Sequence, residues 1–258
     1  MKIKNSAFEL VIPVIGFMDN PDCFPGTLYK GAKEMPLPRY TDAPTEEALI
    51  CELVGRQRVN MSFLLNSNGG DVEVYETYKR FMGAVRKRNG VVRAYAPQRA
   101  GSAAAWIFAE ADQRYVQPQT QVMFHLRVRR KFVPQGQVRV FSPALMLDLV
   151  VERGEYESVP HEESREADRE KVRRFLLQGT PANDRVKVEA VVNQVFNDPA
   201  NERDEIAMTG ATLHQLGKAT ALNSRDLRRQ FEKNTGLNVQ RDTFLNRVWT
   251  LLNVPDFA

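Results

Sequence analysis

The stretch Ala100-Gly-Ser-Ala-Ala-Ala-Trp-Ile-Phe-Ala-Glu-Ala111 sets one hydroxyl, Ser102, at the head of an apolar segment of helical length. Small neighbours leave room beside Ser102 for a substrate carbonyl. A helix starting there aims free N–H groups and the positive dipole end at any oxyanion formed on it. Upstream, Met61-Ser-Phe-Leu-Leu-Asn-Ser67 is a compact apolar run that passes into Asn68-Gly-Gly-Asp-Val72, as a buried strand entering a tight turn does. The glycine pair lets a backbone approach unobstructed and offers an amide donor. Val74, Tyr78, Phe81 and Val85 then recur on one helical face, and the helix closes on Arg86-Lys-Arg88 and Asn89-Gly90. Val91 to Ala96 reads as a strand, as do Arg114-Tyr-Val116 and Val122-Met-Phe-His125. His125 is the histidine nearest to this region and the natural base for Ser102. Taken singly, these features read as a helix cap, a turn and a core histidine. Taken in order, they point to acyl transfer.

Composition narrows the classes. The chain has 258 residues, 43% apolar and 26% charged, a globular balance that excludes wholesale disorder and fibrous architectures. A net charge of +4 over this length falls short of a nucleic-acid-binding signature. Two cysteines, Cys23 and Cys51, make no disulfide framework, and no Cys-x-x-Cys pair suggests zinc. The opening residues carry charge but no long apolar core or small-residue cleavage site, and the run from Leu10 to Met18 is too short to span a bilayer. The expectation is a cytoplasmic enzyme without a membrane segment.

Strands alternating with helices argue an α/β fold with parallel pairing. Residues 19–44, with five prolines plus Gly26 and Gly31, read as an irregular loop, and Thr45 as the cap of a short helix. A densely charged helix is expected from near Pro160 to before Gly179, another from Lys187 to Phe196, and two closing helices at 224–235 and 241–253 around Gly236. With no convincing linker, the chain reads as a single domain, 1–258. Its core covers about 45–222, with an atypical insertion at 126–200 and a helical tail at 223–258.

Asn66-Ser-Asn-Gly-Gly-Asp-Val72 resembles the Asn-Ser-Pro-Gly-Gly-x-Val turn of the Clp protease proteolytic subunits. Ala100-Gly-Ser-Ala-Ala-Ala105 is similar to their nucleophile helix, and Arg114 to His125 resembles their Arg-x-x-x-Pro-Asn-x-x-x-Met-Ile-His strand. The likeness covers residues 60–126 and resumes from Glu202-Arg-Asp to Leu222. It implies a crotonase-like (Clp protease) fold of repeated β-β-α units with a helical C-terminal extension. It further implies a serine-type endopeptidase: Ser102 as nucleophile, His125 as general base, and the amides of Gly70 and Ala103 as the oxyanion hole. The course is attack on a peptide carbonyl, an acyl-enzyme, and hydrolysis by water, with no cofactor and no metal. Implied partners are peptides or unfolded proteins as substrate, further copies of the chain in a homo-oligomer, and an ATPase unfoldase.

Several residues depart from that pattern. Counting from Gly217 puts Thr220 where the resemblance implies the third catalytic residue, an aspartate. Thr220 carries no charge to stabilise an imidazolium, and loss of that carboxylate costs on the order of ten-thousandfold in turnover. Asp204 reads as part of a structural ion-pair segment, and Asp226 serves only if the closing helices fold back. A basic strip, Arg127, Arg129, Arg130, Lys131 and Arg139, marks the insertion, Leu126-Arg-Val-Arg129 alternates as a strand with one charged face, and the helix at 158–178 suits oligomer packing. The proline-rich 19–44 lacks the family's N-terminal pattern for docking an ATPase. His161 and His214 have no partners at metal-binding spacing, Lys79 reads as a surface lysine, and Trp106 and Trp249 as core or interface aromatics. Two other readings stand beside the peptidase: a catalytically degenerate subunit that assembles with or regulates an active one, and an acyl-CoA enzyme of the crotonase superfamily.

Overall fold

The computed structural model describes residues 8–18, 26–35, 57–125, 128–142, 147–160, 162–180, 182–197 and 205–253. Cys23, Thr45, Cys51, Arg127, His161 and Asp204 lie outside them, as do the side chains of Arg129, Arg130, Lys131 and Arg139. The fold is mixed α/β.

Its spine is β4 (Val59–Gly70), buried over nearly its whole length, lying parallel to β1 (Phe8–Met18). Both faces of these strands are covered, so the polar residues that alternate with apolar ones at their starts, Glu9, Asn60 and Ser62, are buried as well. Leu10, Ile12, Val14, Met61, Phe63 and Leu65 pack into one core, and Val11 and Leu64 into another on the opposite face. Pro13 is accommodated because β2 (Thr27–Lys30) pairs with β1 only as far as Val11, so its missing N–H has no partner to deprive on that side. Residues 27–35, expected as irregular, form an edge hairpin of β2 and β3 (Lys33–Met35) that turns at Gly31, φ 60°. The strands are only four and three residues long, too short to show against the flanking prolines.

The sheet forks along β4. Its Met61–Leu64 portion pairs in parallel with β5 (Val92–Ala96), and beyond that lie β7 (Gln113–Val116) and β12 (Thr220–Ala221). Its C-terminal portion, at Ser67, pairs with β6 (Arg99–Gly101), which leads to β8 (Gln121–Phe124) and the antiparallel β11 (Ile206–Thr209). This fork decides which residues can meet.

Helix α1 (Val72–Lys87) is capped by the Asp71 side chain, which accepts from the Glu73 N–H, and buries Val74, Tyr78, Phe81 and Val85, the expected face. The left-handed residue after it is Asn89, φ 55°, and not Gly90. Gly90 is required for another reason: a Cβ there would stand 1.8 Å from the Val59 carbonyl oxygen. Helix α2 (Ala103–Glu110) is buried, and α3 (Glu162–Leu177) and α4 (Ala182–Asn197) pack on each other. A short α5 (Gly210–Gln215) links β11 to β12. On the other sheet face, α6 (Ser224–Thr235) and α7 (Thr243–Leu252) insert Leu227, Phe231, Leu245, Val248 and Trp249 against Val11, Tyr29, Leu64 and Tyr95. Gly236 ends α6 in the left-handed conformation, as the sequence suggests. A separate two-stranded sheet pairs β9 (Val128–Ser142) antiparallel to β10 (Leu147–Pro160). Of the expected strand Leu126–Arg129, Val128 and Arg129 begin β9, and Leu126 and Arg127 lie outside the described residues.

Candidate active site

Ser102 follows β6 and precedes α2, a strand–turn–helix junction. Its backbone adopts φ 51°, ψ −121°, a conformation ordinarily reserved for glycine. Holding a serine there costs on the order of 1–3 kcal/mol, which the surrounding contacts must supply. The N–H of Ser102 donates to the Met123 carbonyl at 2.8 Å, tying the junction to β8. The side chain makes no capping hydrogen bond to the helix it heads. A capping serine has extended backbone, and its hydroxyl oxygen accepts from an N–H of the first turn; Ser102 does neither. The N–H groups at the head of α2, that of Ala103 first, precede any intrahelical acceptor.

Two glycines make the junction fit. Gly69, φ 102°, lies so close that a Cβ on it would stand 2.4 Å from the Ser102 Cβ, 2.6 Å from the Gly101 oxygen and 3.0 Å from the Ala103 nitrogen. A Cβ on Gly70, φ 149°, would stand 2.2 Å from the Met18 oxygen. The glycine turn and the head of α2 thus lie backbone to backbone. Ser67 braces the turn, its hydroxyl donating to the Gly16 carbonyl at 2.6 Å and accepting from the Gly69 N–H. Arg99 reaches across to the Asn68 side-chain oxygen at 2.7 Å.

The parallel β6–β8 register sets Gly101 beside Met123, so Ser102 and His125 both leave the C-terminal ends of adjacent strands, where α/β sheets place their sites. Gly70, Ser102, Ala103 and His125, the four residues singled out in the sequence, line one cleft of about 220 Å³. The Ser102 hydroxyl makes no hydrogen bond among the described residues, so its bond to the imidazole is not formed in this structure. Such bonds often tighten only when substrate binds.

Other cleft residues come from elements that the motifs do not include. Helix α1 contributes Val72, Tyr75, Glu76 and Lys79, one turn apart on one face; α2 adds Trp106; α3 adds Ala167, Asp168 and Lys171. Lys79 is therefore a wall residue, paired with Glu76 at 3.7 Å. The Lys171 ammonium lies 4.5 Å from the ring centres of both Tyr75 and Trp106 and 3.3 Å from Glu110. Burial holds it below the ordinary lysine range, Glu110 opposes that, and Lys79 adds to it. The spacing on α1 is visible in the sequence, but the contribution of α3 depends on how that helix is laid over the cleft.

Thr220 is not in this cleft. It is exposed on β12 beside Tyr115 and lines a separate depression with Asp112 and His214. Counting along the chain misplaces it because β12 belongs to the β5–β7 branch of the sheet, whereas His125 ends a strand of the β6–β8 branch. Asp226 also lies elsewhere, at the first turn of α6, bonded to Asn223 and 3.5 Å from Arg229. The strand beside the end of β8 is β11: Ile206 stands opposite Phe124, the residue before His125, and exposed Glu205 directly precedes Ile206. His214 is exposed, its Nδ1 3.2 Å from the Ala219 oxygen.

Among the described residues no group of three or more His, Cys, Asp or Glu is arranged to hold a metal, and no helix is long and apolar enough to cross a membrane. The arrangement is that of an α/β protein with a serine, a histidine and helix-head amides in one cleft. No family model matches the chain, and no curated protein matches it. Among solved structures it is similar to a point mutant of ClpP1 from Listeria monocytogenes, with 12% sequence identity and a TM-score of 0.43, over 84% of this chain and 93% of that one.

Proposed function

We propose that this chain is a serine-type peptidase working through an acyl-enzyme. The observation that carries the reading is Ser102: a non-glycine residue in a strained turn, uncommitted as a cap, sharing a cleft with His125. Strain of this kind persists where a side chain must be presented at a fixed place. Ser102 Oγ attacks the peptide carbonyl while His125 takes its proton. The developing oxyanion is met by the amides of Gly70 and Ala103, and the rigidity of the glycine turn keeps those donors in place without reorganisation. The proton on His125 passes to the leaving amine. His125 then activates a water that cleaves the ester and regenerates Ser102. The third group is assigned to the stretch Glu202 to Glu205, since the next residue, Ile206, pairs with Phe124, the residue before His125. The motif resemblance implies unfolded chains or short peptides as substrates, a homo-oligomer as the working form and an ATPase as a partner.

Hydrolysis of unstructured fluorogenic peptides by the purified protein tests the reading. Turnover should fall by about a thousandfold or more in both Ser102→Ala and His125→Ala. Equal turnover in wild type and Ser102→Ala would remove the serine mechanism. The degenerate-subunit reading leans on Thr220. The fork of the sheet withdraws that support, because Thr220 stands on the wrong branch to judge the site.

A further inference from the structure

The cleft at Ser102 does not end at Trp106. It adjoins a second depression of about 420 Å³, bordered by Lys79, Trp106, Glu110, Lys171 and Arg174, and the two share Lys79, Trp106, Ala167 and Lys171. Trp106 stands one helical turn, ~6 Å, beyond Ser102, and Glu110 one turn further. The groove thus starts at Ser102 and runs past two aromatic rings, Tyr75 from α1 and Trp106 from α2, with the Lys171 ammonium from α3 seated against both. Lys171 borders both parts.

The charges along the groove are not equally committed. Glu76 is engaged by Lys79 at 3.7 Å, and Glu110 by Lys171 at 3.3 Å and by the Tyr75 hydroxyl at 3.1 Å. Asp168 is buried and has a partner of its own. The Lys171 ammonium has three N–H donors; among the described residues it finds two acceptors, the Tyr75 hydroxyl and the Glu110 carboxylate. One donor is left over, on a side chain still 32% exposed. Arg174, at the distal end, makes no ion pair among the described residues. The carboxylates are taken, and the spare hydrogen-bonding capacity is cationic.

We propose that this groove receives the side chain of the residue supplying the scissile carbonyl and selects a carboxylate, with Lys171 as the recognising cation. The inference rests on the serine mechanism above and adds its substrate class. Glutamate suits the groove better than aspartate, because Lys171 is seated over Trp106, the residue one helical turn beyond Ser102. The aromatic walls cover the methylenes, and the carboxylate accepts the third Lys171 N–H. A half-buried ammonium that has Lys79 nearby gains from a second counter-ion. An aliphatic side chain leaves that donor unpaired and desolvates it further.

The test uses a peptide series differing only in the residue before the scissile bond: glutamate, glutamine, leucine or lysine. The wild-type protein should show a glutamate-to-leucine ratio of kcat/KM of about tenfold or more. Lys171→Met should bring the ratio near one, Lys171→Arg should retain a preference for glutamate, and Lys171→Glu should turn it toward lysine. Each ratio is taken within one variant, so partial unfolding cancels. Fluorophosphonate labelling of Ser102 runs in parallel. A labelled protein that prefers leucine, or whose ratio ignores Lys171→Met, overturns the groove assignment alone. A protein that neither labels at Ser102 nor cleaves any peptide overturns the serine mechanism, and this inference with it.

Discussion

Replacing Gly69 by alanine should damage chemistry far more than it damages the fold. The new Cβ would stand 2.4 Å from the Ser102 Cβ and 2.6 Å from the Gly101 carbonyl oxygen, at a φ of 102° that alanine adopts only under strain. Ordinary carbon contacts begin near ~3.5 Å, so the Ser102 turn must retreat by about 1 Å. Backbone strain and lost contacts together cost about 2–4 kcal/mol, a drop of roughly 5–15 °C in Tm for a chain of this length. A displacement of about 1 Å at the reacting atom costs on the order of a hundredfold in rate. Gly83→Ala is the matched control, since Gly83 lies on α1 with nothing within 4 Å of an added Cβ. It should gain about 0.5–1 kcal/mol in stability and keep its rate. Fluorophosphonate labelling kinetics, measured well below both melting transitions, read the chemistry; calorimetry reads the fold. A Gly69→Ala protein that labels as fast as wild type would refute the claim that the glycine turn positions Ser102.

Glu9 is buried beside Ser62, whose hydroxyl donates to it at 2.5 Å, and Arg93 at 3.4 Å; burial pushes its carboxyl up to about 7. The folded chain therefore holds a proton that the unfolded chain has released, and stability should fall by about 3 kcal/mol as pH rises from roughly 4.5 to 7.5; denaturant midpoints across that range should flatten in Glu9→Gln. Thr220→Val should leave peptide turnover within about twofold, while Asp204→Asn combined with Glu205→Gln should lower kcat by about a hundredfold or more; the reverse pattern would return the third group to the β12 branch. Phe231→Ala, which removes a fully buried ring 5.3 Å from those of Tyr95 and Trp249, should cost about 3–5 kcal/mol. A Tm within about 2 °C of wild type would mean that the closing helices are not part of the folding unit.

What is legible in the sequence is local. The buried stripe of α1, the strand at Met61–Ser67 and the glycine stop after α6 follow from periodicity and turn chemistry, which few-residue windows carry. The Ser102 junction is visible as a serine before an apolar helix. Its glycine-like backbone is not, because that conformation is imposed by β6, β8 and the glycine turn closing together. The error at Thr220 has the same origin: sequence spacing carries no record of which branch of a forked sheet a strand joins. Lys171 is hidden within a helix of mixed charge, where solvated and cleft-facing lysines look alike. The long hairpin β9–β10 shows in the sequence only at Val128-Arg129 and at Ser142-Pro143, a turn-favouring pair where β9 ends, which is too little to set the register of a return strand beginning at Leu147.

The central claim is that Ser102 is a nucleophile made reactive by His125 across the shared cleft. Mass-spectrometric peptide mapping after fluorophosphonate treatment tests it most directly. The expected result is one adduct, on the peptide containing Ser102, lost in His125→Ala and retained in Thr220→Val. No adduct in a folded protein, or an equal adduct without His125, would contradict it.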